Sequence, residues 1–266
     1  MQKSINKVTE EIAAVLNGRV HSAWLYGSAV LDDFRLGWSD IDLLVLTLDL
    51  ITESQAQALL TLRQTLSGRE PENPYYRLFE GIIASLNEYR GRTFERLVYW
   101  GTSGQRVTDH YQLDVFAQYE LAKYGKAVYG QADRSLFPPP GRNELTAAVR
   151  AHYASIRKYA VETNESLYSC GWLLDIARCI YTLRYQNVIA KTKAGLWAME
   201  EHIFADEAPL RKTLLIRQNP LLYRDREDVK QWLKSLGPTV QQYADVLERE
   251  IDQSFGRNEH GKAHRY

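Results

Sequence analysis

Tyr26-Gly27-Ser28, followed after eleven residues by Asp40-Ile41-Asp42-Leu43-Leu44-Val45-Leu46, is the stretch on which the reading of this chain turns. Asp40 and Asp42 lie two apart on a strand, so both side chains project from one face. Two carboxylates held that close repel each other and call for a cation between them. A hard divalent ion such as magnesium prefers oxygen ligands of this kind. The apolar run from Leu43 to Leu46 buries the strand and so fixes the acids. Gly27 ends the preceding strand, and without a side chain it lets the backbone approach a phosphate closely. Ser28 offers a hydroxyl and an amide at the start of a short helix, where a terminal phosphate is stabilised.

Each piece has a plainer reading. Gly-Ser alone is most often a turn, and Asp-x-Asp alone is most often a solvated strand face. The order strand, Gly-Ser, short helix, Asp-x-Asp, apolar strand favours the chemical reading. Such a site needs a third carboxylate from a neighbouring strand, and Glu80 fits. Leu78, Glu80, Ile82 and Ala84 share one strand face, while Phe79, Gly81 and Ile83 share the other. A lone Glu among apolar residues is costly to bury unless it is paired or bound to metal. The alternative is an edge-strand carboxylate facing water. Glu88 is the next candidate, but Asn87, Tyr89 and Arg90 place it in a polar turn.

Outward from this centre the chain divides. Ile5, Val8, Ile12 and Val15 predict an amphipathic helix over 4–17. Strands are expected over 21–26, 40–46, 77–86, 97–99 and 127–129. Helices are expected over 53–67, with Thr52 and Gln55 as a capping box, and over 113–123. Pro138-Pro139-Pro140-Gly141 is the clearest punctuation, since three prolines cannot continue a helix or a central strand. Beyond it the pattern is helical over 144–162, 167–185, 193–204, 225–236 and 239–253, with a polar tail over 256–266. His260 and His264 in that tail read as surface residues rather than metal ligands, and His21 as a strand-end residue.

Hydrophobic residues make up 45% and charged residues 25% of the 266-residue chain, which excludes a disordered or fibrous class and suits two domains. The formal net charge is zero, so no generalised grip on nucleic acid is expected, although a local basic patch remains open. Cys170 and Cys179 read as free thiols of a reducing cytoplasm. No signal peptide or membrane span is expected, because the first twenty residues mix charge with apolar residues and the longest apolar stretch carries Asp42 and Asp49.

The motif from Tyr26 to Val45 resembles the nucleotidyltransferase domain of the polymerase-beta superfamily. Within it the chain is similar to the streptomycin/spectinomycin adenylyltransferases. The resemblance extends to Leu78-Phe79-Glu80-Gly81-Ile82-Ile83, to Val128-Tyr129-Gly130 and Leu136-Phe137-Pro138, and to Ala177-Arg178, Tyr181, Lys191 and Trp197-Ala198-Met199-Glu200. It implies an α+β fold: a nucleotidyltransferase domain with a small mixed sheet and flanking helices over 1–137, an all-α helical bundle over 142–255, and a flexible tail over 256–266.

It further implies magnesium held by Asp40 and Asp42, with Glu80 as catalytic base, metal ligand or both. Gly27, Ser28, Arg178 and Lys191 would bind the nucleotide, expected to be ATP. Taken without the resemblance, Arg178 is a helix-surface residue paired with Asp175, and Lys191 a solvated lysine. The implied acceptor is a small hydroxylated, cationic molecule of the aminoglycoside or aminocyclitol class. Asp109, Asp175 and Glu165, with Asp114 and Glu162 nearby, are the carboxylates offered to it. The family's own antibiotic-contacting Trp and acids are replaced here by Ser103 and by the residues from Tyr168 to Cys170. Two rivals stand beside this reading. One is a nucleotidyltransferase acting on a protein or RNA, although the Arg-x4-His mark of an associated helical ribonuclease does not occur in the C-terminal half. The other is a degenerate nucleotide-binding module.

Overall fold

The computed structural model describes residues 1–101 and 104–260, the side chains of 255–260 excepted. Ser103, His264 and the end of the polar tail lie outside the described residues, as does the side chain of His260. The chain forms two compact units. The first comprises Met1–Asp32 and Ser39–Pro139, the second Asp33–Trp38 and Pro140–Tyr266.

The first unit is built on one six-stranded mixed sheet in the order β5-β4-β3-β2-β1-β6. Its strands are β1 Val20–Tyr26, β2 Ile41–Thr47, β3 Phe79–Ser85, β4 Leu97–Gly101, β5 Gly104–Thr108 and β6 Lys126–Gly130. Only β2 and β3 run parallel. A parallel pair needs a long crossover, and helix α2, Glu53–Arg69, supplies it. The predicted Thr52–Gln55 capping box is formed: Gln55 N donates to Thr52 Oγ1 at 3.3 Å and Thr52 N to Gln55 Oε1 at 3.0 Å. The remaining helices here are α1 Gln2–Val15, α3 Leu86–Gly91 and α4 Val115–Tyr124.

The period-two pattern of the strands sorts side chains onto two faces. Trp24, Tyr26, Leu44, Leu46, Ile82 and Ala84 pack with Leu113, Leu121, Leu136 and Phe137. The opposite face meets α2, where Trp100 Nε1 donates to Leu59 O at 3.0 Å.

The second unit is helical: α5 Arg142–Tyr159, α6 Tyr168–Tyr185, α7 Lys191–Glu200, α8 Ala208–Gln218, α9 Pro220–Tyr223, α10 Glu227–Lys234 and α11 Gly237–His260. Helix α6 is its centre and packs against α5, α7, α8 and α11. Leu173, Leu174, Ile176, Ala177 and Ile180 on that helix are wholly buried. Both cysteines are buried, and neither forms a disulfide. Among the described residues no helix is long and apolar enough to cross a membrane.

Several elements differ from the sequence reading. β5 was not expected, because Gly104 and Arg106 hide its alternation. α8 and α9 fall in a stretch left unassigned, with Pro209 and Pro220 at their starts. Both prolines occupy the first helical turn, where the missing N–H costs nothing. β3 begins at Phe79 rather than 77, after a single 3₁₀ turn at Tyr76–Leu78. Helix α11 continues through 256–260, part of the expected flexible tail, before the described residues end.

Candidate active site

The first cluster forms where β1 ends and β2 and β3 begin. Tyr26 pairs with Asp42 across β1 and β2, and Asp42 pairs with Glu80 across β2 and β3. Adjacent strands lie about 4.8 Å apart, so Asp42 and Glu80 are neighbours on one sheet face. Asp40 was expected on the same strand, but β2 begins at Ile41 and Asp40 lies in the loop just before it. All three are part-buried, at the edge of the face whose deeper rows are Leu44, Leu46, Ile82 and Ala84.

Gly27 turns the chain away from β1 at φ +65°. A Cβ there would lie 2.0 Å from Asp42 Oδ2. Only glycine allows both that backbone angle and that approach. Gly27, Ser28 and Ala29 form a 3₁₀ turn, and the Ser28 hydroxyl lies 3.4 Å from the Asp40 carbonyl. The Gly-Ser motif and the Asp-x-Asp motif therefore meet in space.

Three residues that the sequence reading passed over join Tyr26 in this cluster. The Tyr99 hydroxyl donates to Glu80 Oε1 at 3.0 Å. Arg106 stacks over the Tyr99 ring at 4.3 Å, and Tyr111 packs against it at 6.0 Å between ring centres. Burial, with the nearby negative charge of Asp42 and Glu80, pushes the phenols of Tyr26 and Tyr111 well above their usual range. They stay protonated at neutral pH and present hydroxyls rather than charge.

Beneath the sheet, buried Arg63 from α2 donates to the carbonyls of Phe79 and Gly101 and lies over Trp100 at 5.5 Å. Burial lowers its pKa, and the charges of Glu80 and Asp40 oppose that shift. Arg63 shares the buried side of α2 with Leu59, Leu62 and Leu66, and a cation among leucines was the available signal. Tyr99 gave no signal, because an aromatic in a strand is ordinary core.

Among the described residues no three His, Cys, Asp or Glu side chains converge as a preformed metal cage. Magnesium does not require one. It is commonly held by one or two carboxylates together with substrate phosphates and water. The oxygen-only donors of Asp40 and Asp42, beside a bare glycine backbone, fit that mode.

The second cluster lies in the helical unit. Asp175 on α6 accepts from Arg178 Nη2 at 3.1 Å and from Lys191 Nζ at 3.0 Å. Burial alone would raise the Asp175 pKa, but Lys191, Arg178 and His152 outweigh it and hold the carboxyl below its ordinary value. Arg178 and Lys191 are thus brought together by one acid, and the simple Arg178–Asp175 pair anticipated from spacing is present. Glu165 lines a notch of about 380 Å³ with Trp38, Tyr168, Arg224 and Asp225, and approaches Lys234 at 3.5 Å. Asp109 is exposed, and its side chain contacts the neighbouring His110. Asp114 caps α4 through Phe116 N at 2.9 Å.

The architecture, a mixed sheet followed by a helical unit, recurs among solved structures. Among the solved structures of similar fold is spectinomycin adenyltransferase AAD(9) from Enterococcus faecialis with ATP and spectinomycin, with a TM-score of 0.61 at 17% identity over 92% of this chain and 98% of that one. No protein-family model matches the chain, and no curated protein matches it in sequence.

Proposed function

We propose that this protein is a magnesium-dependent nucleotidyltransferase that moves AMP from ATP to a hydroxyl of a small cationic acceptor, with an aminocyclitol or aminoglycoside antibiotic as the leading class. The observation that carries the reading is the register of Asp42 against Glu80 on adjacent parallel strands, with Gly27 held against Asp42. Two carboxylates held on neighbouring strands repel each other, and a bound cation relieves that repulsion.

Asp40 and Asp42 are the magnesium ligands. The ion, when bound, polarises the α-phosphate and screens the departing pyrophosphate. Gly27 and Ser28 present backbone and hydroxyl to the phosphates. Glu80 takes the proton of the acceptor hydroxyl as its oxygen bonds to the α-phosphorus and pyrophosphate leaves. Because Oε1 already accepts from Tyr99, Oε2 is the oxygen assigned to that proton. Arg178 and Lys191 are assigned to the outer phosphates, which carry most of the charge of the triphosphate.

Asp175 is better read as the anchor of those two cations than as an acceptor ligand, since both its oxygens are engaged. Glu165 keeps an acceptor role: its notch offers the carboxylates of Glu165 and Asp225 beside the rings of Trp38 and Tyr168. Carboxylates next to aromatic faces suit a protonated amine on an apolar ring. Asp109, solvated and tied to His110, is the weakest of the three.

The test is direct. The purified chain is incubated with magnesium, ATP and a panel of hydroxylated amines including spectinomycin and streptomycin. Pyrophosphate release and a mass gain of one AMP on the acceptor support the proposal. Absence of both, with intact binding of ATP, removes the small-molecule acceptor. Absence of ATP binding removes the enzyme reading.

A further inference from the structure

We infer that Asp33, Thr192 and Arg217 form a buried relay that positions Lys191 for the triphosphate; this rests on the nucleotide role proposed above for Lys191. Asp33 lies in the segment between the Gly-Ser and Asp-x-Asp motifs, yet that segment belongs to the helical unit. There Arg217 Nη2 lies 2.7 Å from Asp33 Oδ2, with side chains 3% and 4% exposed. The same carboxylate accepts from Thr192 N at 3.2 Å and from the Thr192 hydroxyl at 2.5 Å. Arg217 Nε closes the triangle on Thr192 Oγ1 at 2.9 Å, and the guanidinium lies over the Trp38 ring at 5.1 Å.

The location gives the triangle its meaning. Thr192 is the second residue of α7, and Lys191 is the first. The helix has no side-chain cap of its own, because its N-cap residue is Ala190. Asp33 supplies from a distant segment what a local Ser or Asp normally would. A carboxylate is also the favourable charge at a helix N-terminus. The backbone of Lys191 is therefore fixed from one side by Asp33 through Thr192. Its ammonium is fixed from the other side by Asp175.

A buried ion pair is a weak source of stability, because desolvating both charges offsets their attraction. Fixing the exit point of one lysine is a use that apolar packing could not serve, since it needs donors and acceptors in set directions. Arg217 and Thr192 are positioning residues that act through Lys191.

The experiment compares MgATP with AMP binding by calorimetry for the full chain and for Thr192→Val, Arg217→Lys and Lys191→Ala, with melting temperatures for each. Thr192→Val removes one hydroxyl and keeps the Asp33–Arg217 pair, so it is the variant expected to fold. Arg217→Lys retains the charge and serves as the second arm. Thr192→Val should weaken MgATP binding by about tenfold, the worth of one hydrogen bond to a charged group, and leave AMP binding within about twofold. The double variant Thr192→Val with Lys191→Ala should bind MgATP no more weakly than Lys191→Ala alone. A lowered melting temperature with an unchanged ATP-to-AMP ratio, or full additivity in the double variant, makes the triangle purely structural and overturns the inference. If Lys191→Ala itself leaves MgATP affinity intact, the nucleotide role of Lys191 falls and takes the inference with it.

Discussion

Gly27→Ala is the sharpest perturbation of the first cluster, because two separate costs can be worked out. At φ +65° any L-residue is strained by about 1–2 kcal/mol. Its new Cβ would also stand 2.0 Å from Asp42 Oδ2, whereas real contacts of this kind are essentially never closer than 3.0 Å. The carboxylate must therefore retreat by about 3.0 − 2.0 = 1.0 Å, and a misplacement of that size at reacting groups can cost roughly a hundredfold in rate.

Gly18→Ala separates the two costs. Gly18 has φ +72° and nothing within 4 Å of the added methyl, so it carries the strain without the collision. Gly18→Ala should lose about 1–2 kcal/mol in urea unfolding, and Gly27→Ala at least as much. Only Gly27→Ala should lose about a hundredfold in pyrophosphate release, with weakened MgATP binding by calorimetry. Full turnover in Gly27→Ala would refute the placement of Asp42 at the reacting phosphate. Equal losses of turnover in both variants would show that backbone strain, not the lost approach to Asp42, is responsible.

Asp40→Asn or Asp42→Asn should abolish turnover while leaving the melting temperature unchanged or higher, because each removes one of several mutually repelling carboxylates. Glu80→Gln should retain MgATP binding and lose kcat by about 10²–10⁴-fold. Tyr99→Phe should also lower kcat with little change in ATP affinity, since it frees Glu80 Oε1 without touching the nucleotide; an unchanged kcat removes Tyr99 from the site. Asp175 gives a pH prediction. Its folded pKa lies below the ordinary value of about 3.9, so the folded state holds fewer protons than the unfolded state in between. Its contribution to stability is present above roughly pH 4–5 and is lost as the pH falls through the lower folded pKa. The stability gap between the parent and Asp175→Asn should therefore shrink toward about pH 2 in denaturant titrations; a gap that grows on acidification contradicts the depressed pKa.

The strands that carry Asp42 and Glu80 were legible because their signals are local. Asp42 follows its Gly-Ser partner motif at short range and opens an apolar run, and Glu80 stands out as a charge in another. The capping box at Thr52 and the proline punctuation before α5 are equally local. What was illegible depends on contacts far apart in sequence. Tyr99 reaches Glu80 across β3 and β4, and Arg63 spans from a helix to two strand carbonyls. Neither spacing leaves a periodic mark. Asp175 read as an acid for a cationic acceptor because composition reports charge and not partnership. Its two oxygens are engaged by Arg178 and Lys191.

The membership of 33–38 in the helical unit bears on how this chain may be cut. A fragment beginning at Pro140 contains every helix of that unit but not Asp33. It would keep Arg217, 3% exposed in the whole chain, inside an apolar bundle with its carboxylate partner deleted. Breaking a buried pair on one side costs about 3–5 kcal/mol, a large share of the 5–15 kcal/mol that holds a typical domain together. The three prolines mark a hinge in the sequence but not a seam in the folding unit. Excision at that point should yield a poorly folded bundle by circular dichroism, and supplying residues 33–38 in trans or by circular permutation is the repair the structure prescribes.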